Sequence, residues 1–306
     1  MINSLNANFK LSEKDIIDFN KKGFLLLKGL FSKELIKYLQ NKISQELQVP
    51  SDRYQSGFNR VRYDIFEKDE NIYNILGDET FKSTMRQLTK RSLLFTQALA
   101  FELKRNESKG FPWHIGTQSF GFQRSEDFGC TIWFPLVPID VTQQRGGMSC
   151  VPTNRVSGKF MYDSVDPSVF NYLNEKISSN EETSIEDYML LRDGPLNDPG
   201  MEKLLDYYGV EDSFELGDAL IFDKYVIHKS VKLNDGEIES RPALAIRFTD
   251  VNAQYDKQRA ENLEIPRKYW NYAGPTSLHL EIGKEDGDLM KDSSMFQDDL
   301  NKRIVE

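Results

Sequence analysis

A chain of 306 residues, 39% of them hydrophobic, can bury a large core as one domain; its net charge of -9 argues against a general binder of nucleic acid or anionic membranes, which needs surplus Lys and Arg. Two cysteines, Cys130 and Cys150, are too few for a disulfide framework and lack the paired spacing of a structural zinc site. No apolar run approaches bilayer length and MINSLNANFK lacks the charged-then-apolar pattern of a secretory signal, so a soluble, cytoplasmic protein is expected.

Ser12 followed by Asp15 has the form of a capping box and Gly23 supplies a stop, which predicts a helix over Glu13 to Lys22, followed by the apolar strand Phe24 to Leu27. Ser32 is a good N-cap for a second helix, whose Leu35, Ile36, Leu39, Ile43 and Leu47 recur at three- and four-residue spacing and form one apolar face to pack on a sheet. Leu93 to Glu102, Cys130 to Val137, Met148 to Val151, Ala219 to Phe222 and Ala243 to Phe248 are short, apolar or alternating segments bounded by Gly, Pro, Asn or Asp. They predict strands of an all-β core. Between Asp163 and Asp212 lies a polar, acidic stretch with Pro195 and Pro199-Gly200 as breakers. It reads as an insertion, either a lid or a solvated decoration, with some helix around Leu204, Leu205 and Tyr208. The charged tail after Gly283 is expected to be peripheral.

The chain has three histidines. His279, near the C-terminal end, reads as an ordinary structural residue. His114 follows a strand and turn in PWHIG, and His228 closes the strand that Gly217-Asp218 opens in GDALIFDKYVIH. A β scaffold can set such distant residues side by side, and these two are the candidate metal ligands. Arg241 and Arg247 follow, an even number of residues apart, so without a bulge near Pro242 both side chains point to one interior. A guanidinium there needs an anionic partner, and its fork matches a carboxylate. An organic acid is the expected guest, with acidic side chains of the chain itself as the alternative.

Through KKGFLLLKGLFS, PWHIG, TIWFPLVPIDVTQQRGGMSCVPTNR and the final GDALIFDKYVIH with Arg241, most of the chain resembles the iron(II)- and 2-oxoglutarate-dependent oxygenases of the phytanoyl-CoA dioxygenase type. The resemblance implies a mainly β, double-stranded β-helix (jelly roll) forming one domain over residues 1–306, with flanking helices and the 163–212 stretch as a lid-like insertion. It also implies that His114 and His228 bind Fe(II), that Arg241 anchors the distal carboxylate of 2-oxoglutarate, and that O2 is the co-substrate. Pro152-Thr153-Asn154 departs from the family's usual Pro-Gly-Ser-His ending.

Where that family reads His-x-Asp, this chain has Gly116. In the ordinary facial triad two His and one carboxylate hold one face of the iron. Gly116 opens a position and removes a negative charge, which chloride would restore. His-x-Gly resembles the non-haem iron halogenases, and the spacing of His114, His228, Arg241 and Arg247 most resembles the halogenase domains of the curacin and jamaicamide polyketide synthases. That implies chlorination of an unactivated C–H bond on a 3-hydroxy-3-methylglutaryl group carried by an acyl carrier protein on its phosphopantetheine arm. Arg247 or a lid cation would then meet a second carboxylate. Lys104, Arg105 and Lys109 are either a patch for docking the carrier or a solvated turn. Glu126 or Asp127 swinging in as a replacement carboxylate would restore a hydroxylase, and Thr117 and Gln118 either donate hydrogen bonds near the open position or are turn residues facing solvent. A halogenase of a free small molecule and a 2-oxoglutarate-binding pseudoenzyme stay open, as does the oligomeric state, a homodimer included.

Overall fold

The computed structural model describes residues 4–53, 58, 60–66 and 68–306. Its strands are β1 (Phe24–Leu27), β2 (Arg60–Arg62), β3 (Leu93–Lys104), β4 (Gly129–Pro135), β5 (Met148–Cys150), β6 (Val210–Glu211), β7 (Ala219–Asp223), β8 (His228–Ser230), β9 (Ser240–Asp250) and β10 (Ile304–Val305). A major sheet runs β1-β7-β4-β9-β3-β10 with β2 also on β3, and a minor sheet runs β6-β5-β8. The ladders are antiparallel throughout, giving the two-sheet jelly roll with flanking helices that was expected.

Helix α1 (Glu13–Lys22) has the Ser12–Asp15 capping box and ends at Gly23 with φ 80°, while α2 (Lys33–Gln48) starts from Ser32 and buries Leu35, Ile36, Leu39, Ile43 and Leu47. These locally coded elements match their expected bounds because cap and apolar stripe agree. Helices α3 (Glu70–Gly77) and α4 (Glu79–Thr89) join α2 on one face of the major sheet, against Leu244, Ile246 and Phe248 of β9 and Ile132 and Phe134 of β4. The intervening residues face the other way. There the small Ala243 and Ala245 of β9 leave room beside Leu99, Trp133 and Phe222, and a cavity opens between the sheets.

Three expectations need correction. His228 does not close the strand that follows Gly217-Asp218; β7 stops at Asp223 and His228 opens β8 in the other sheet. A turn separates them, in which Asp223 Oδ1 accepts the Tyr225 N–H at 2.8 Å and Asp223 C=O accepts the Val226 N–H at 3.2 Å. The 163–212 stretch is more than a solvated decoration and holds more helix than the part expected around Leu204, Leu205 and Tyr208: α5 (Asp166–Ser178), α6 (Ile185–Asn197) and α7 (Pro199–Tyr208) fill it and bury Phe170, Leu173, Tyr188, Leu196 and Leu205. Pro195 lies inside α6 without ending it, and Pro199 starts α7, where its missing N–H is harmless. The tail is not peripheral either, since β10 extends the major sheet beside β3 and buries Val305, with Arg303 paired to Asp299 in the interior. Among the described residues, no helix is long and apolar enough to cross a membrane.

Leu39 is fully enclosed between α2 and the sheet, whereas Ile17 on α1 is 63% exposed. Leu39→Ala should therefore lower the unfolding free energy by about 2–5 kcal/mol, and Ile17→Ala should change it by no more than about 0.5 kcal/mol, as read from denaturant midpoints.

Candidate metal and carboxylate site

His114 and His228 meet through the backbone: each N–H donates to the other's C=O at 2.9 Å, an antiparallel bridge that appends the His114 segment to β8. Their rings sit side by side with centroids 4.3 Å apart. Each Nδ1 is bonded to a backbone carbonyl two residues back, Pro112 for His114 and Val226 for His228, both at 2.8 Å. That contact orients the ring and leaves Nε2 as the nitrogen available to a metal, the arrangement found around ligating histidines. Burial pushes the His114 imidazole down to about 4, with Arg192 and Arg247 adding to the effect; burial and the neighbouring His114 push His228 well below its usual value. Both rings are thus in the neutral form that binds metal at ordinary pH.

Among the described residues no third metal-binding side chain joins them. Among the described residues no group of three His, Cys, Asp or Glu side chains comes together, and no carboxylate lines the cavity. Gly116 is at its wall. Asp127 is tied to the Gln254 N–H at 2.7 Å, and Glu126 opens on a separate surface groove with Arg124 and Asp256, so neither candidate replacement faces the histidines.

Arg241 and Arg247 point to the same side of β9, as their even spacing required. The register shift in this ladder falls on β3 between Phe95 and Gln97, not near Pro242. Arg241 is fully buried, and its Nε donates to Gly146 C=O at 2.7 Å. Gly146 holds φ 93°, and a Cβ there would come within 2.8 Å of Leu233, so the turn that presents this carbonyl requires glycine. Among the described residues Arg241 Nη1 and Nη2 have no hydrogen-bond partner, nor does the indole Nε1 of Trp133, whose ring lies 5.4 Å from the guanidinium. Buried orphan donors are rare enough to demand an explanation. A forked cation with both ends free, beside a second free donor, is what a carboxylate would satisfy, so these residues fit an oxoacid. Burial alone pulls Arg241 down to about 9.

Arg241 is not part of the cavity lining but lies behind the Phe101 and Trp133 rings, whereas Arg247 does line the cavity; its Nη1 donates to Gln97 Oε1, and Gln97 in turn donates to Asp64 at 2.6 Å. Among the described residues no carboxylate pairs with Arg247 directly; the nearest link runs through Gln97 to Asp64. Lys224 is a further buried lining cation, its Nζ donating to Arg124 C=O at 3.0 Å and its pKa drawn by burial to about 7. Lys104 pairs with Glu107 and Arg105 with Glu239, while Lys109 is exposed. His279 is structural: buried, with Nε2 bonded to Gln118 C=O at 2.8 Å.

The lid alternative for the insertion pointed toward the site but named none of the residues that reach it. Arg192 of α6 forks onto Asp193 and donates to Gln118 Oε1 at 2.8 Å. Asn197 accepts the Trp113 N–H at 3.2 Å and donates to Trp113 C=O at 2.8 Å, while Asp206 of α7 takes the indole N–H at 3.1 Å. Trp133 was equally missed, although it alternates with Thr131 on β4 and period two places both on the cavity face. Asn197→Ala would strand two buried backbone groups beside His114 and should cost about 1–3 kcal/mol of stability, measured by denaturant unfolding.

No protein-family model matches the sequence, and no curated protein matches it. Solved structures do. The epimerase SnoN in complex with Fe3+, alpha ketoglutarate and nogalamycin RO aligns over 90% of this chain and 94% of its own, with a TM-score of 0.58 at 15% identity. The non-heme alpha ketoglutarate dependent carbocyclase SnoK from nogalamycin biosynthesis aligns over 80% and 87%, with 0.56 at 13%. EctD from S. alaskensis in its apoform aligns over 82% and 81%, with 0.55 at 12%. At such identities the likeness is one of fold, and the chain is a double-stranded β-helix of the kind these three structures share.

Proposed function

We propose that this chain is an iron(II)- and 2-oxoglutarate-dependent halogenase in which His114 and His228 hold the metal, Arg241 takes the distal carboxylate of 2-oxoglutarate, and chloride occupies the position opened at Gly116. The observation that carries this reading is the juxtaposition of two neutral imidazoles with a glycine, in a cavity where no carboxylate of the described residues stands in for the missing ligand. SnoN and SnoK are named as α-ketoglutarate enzymes and share the fold, which supports the cofactor assignment. They are not named as halogenases, so the halide rests on Gly116 and on the resemblance of its motif. When bound, iron with 2-oxoglutarate and O2 supplies the oxidising power to attack an unactivated C–H bond.

The chain's own residues orient and enclose. The two backbone carbonyls fix the imidazole tautomers, the Arg241 fork and Trp133 N–H fix the oxoacid, and Phe58, Val61, Leu99, Phe111 and Phe120 make apolar cavity walls that limit water around a reactive centre. We assign the substrate as an acyl chain on the phosphopantetheine arm of an acyl carrier protein, with 3-hydroxy-3-methylglutaryl the acyl group that the motif resemblance supports. Its free carboxylate would meet Arg247, whose nearest link to a carboxylate among the described residues runs through Gln97. Because Lys104 and Arg105 already pair with acids, docking at that corner would fall chiefly to Lys109. Two unpaired buried thiols, Cys130 and Cys150, agree with a cytoplasmic setting.

The deciding experiment is an anaerobic titration of iron(II) into the chain with 2-oxoglutarate, with and without chloride, followed by O2 and carrier-bound substrate with mass spectrometry of the acyl chain. A chloride-shifted visible band and a chlorinated product are expected, and Gly116→Asp should abolish the chloride response. A chloride-independent band with a hydroxylated product would sink the halogenase reading, and absence of any band would indicate a pseudoenzyme. Arg241→Ala should weaken 2-oxoglutarate binding by about 2–5 kcal/mol, the cost of truncating one side of a buried charge pair, with iron affinity retained; unchanged affinity for the oxoacid would remove Arg241 from its site.

A further inference from the structure

Gly116 is not among the residues with positive φ, so its lack of a side chain is not imposed by the backbone. A Cβ built there would lie 3.3 Å from Ser119 Cβ, 3.5 Å from Ser119 Oγ and 3.4 Å from Phe120 Cδ2. The space that a carboxylate stem would enter is therefore walled by one hydroxyl and one aromatic edge, and both residues line the cavity shared by His114 and His228.

The neighbouring polar side chains are committed elsewhere. The Thr117 hydroxyl faces the buried Asp166 carboxylate. Gln118 accepts from Arg192 through its side chain and is bonded to His279 through its carbonyl. Ser119 Oγ makes no hydrogen bond among the described residues. A hydroxyl so placed keeps its proton for a guest, and an anion is the guest that gains most, because hydrogen bonds to charged acceptors are the stronger ones.

We infer that Ser119 is a halide-positioning residue: its hydroxyl donates to the small anion that replaces the missing carboxylate, while the Phe120 edge closes the apolar side of the same cradle. This rests on the halogenase reading above and adds a protein contact to a ligand otherwise held only through the metal. A halide has no stem to fix its direction, so a donor of fixed position is what would tie it to one side of the site.

The test is a chloride titration of the anaerobic chain loaded with iron(II) and 2-oxoglutarate, read from the visible charge-transfer band, for the parent, Ser119→Ala and Ser119→Thr. Ser119→Ala should bind chloride about tenfold or more weakly, as expected for loss of one hydrogen bond to a charged acceptor, while its affinities for iron and 2-oxoglutarate match the parent's. Ser119→Thr, which keeps the hydroxyl, should restore most of the chloride affinity. If the parent responds to chloride and Ser119→Ala responds equally well, the role of Ser119 is overturned and the halide site stands. If Ser119→Ala loses iron or 2-oxoglutarate binding as well, Ser119 is a support of the turn and not a halide donor. A parent with no chloride response overturns the halogenase reading, and this inference with it.

Discussion

Two reciprocal hydrogen bonds between the backbones of His114 and His228, each 2.9 Å, are the constraint on which the site depends. Residues that exchange both bonds form one rung of an antiparallel ladder, and their side chains project to the same face. The pairing of the imidazoles is thus written into the main chain. His228 is held from both sides, since β8 also pairs with β5 through Cys150. A loop-borne ligand would lose this definition, because precise sites need supports whose own positions are locked.

The rung alone would not hold the turn that follows His114. That turn is gripped at both ends by the acidic insertion: Asn197 clasps the backbone of Trp113, and Arg192 reaches Gln118. Arg192 and Asp193 form a buried, two-pronged ion pair. Such a pair contributes little net stability after desolvation, but moving one partner leaves a naked charge in the interior. The ligand turn is clamped between the minor sheet and α6, and Gly116 lies in the middle of the clamped stretch. The segment read as either a lid or a decoration contributes Arg192 to the cavity wall.

What the sequence disclosed follows the range of the interactions involved. Helices α1 and α2 were legible because cap, stripe and stop lie within one or two turns of each other. The common orientation of Arg241 and Arg247 was legible because the two-residue period of a strand survives unless the strand itself bulges; here the irregularity lies on β3 instead. The crossing of His228 into the second sheet was not, since it goes with a turn in which the Asp223 carboxylate accepts the Tyr225 N–H. Nor could sequence separate Thr117, Gln118 and Ser119, three adjacent polar residues whose different roles are assigned by Asp166, Arg192 and His279, distant partners brought in by the fold.

The charged groups that line the cavity are one-sided, although Arg192 is paired with Asp193 outside the lining. Arg192, Lys224 and Arg247 line it without a carboxylate, Arg241 lies behind the Phe101 and Trp133 rings with both terminal nitrogens unpartnered, and burial pulls the pKa values of Arg241, Arg247 and Lys224 all downward. A cavity with this bias favours anionic guests over cationic ones. On the reading proposed above, glycine at position 116, where the resembled oxygenases carry aspartate, belongs to the same pattern. An aspartate ligand is tethered to the chain and stays with the protein whatever happens at the metal. A halide in its place, on the reading proposed above, is tethered to nothing, so its occupancy follows the composition of the solvent and it alone among the ligands of that face is free to leave with the product. On that reading the absent side chain would change more than the charge at the metal: it would convert a fixed ligand into a transferable one.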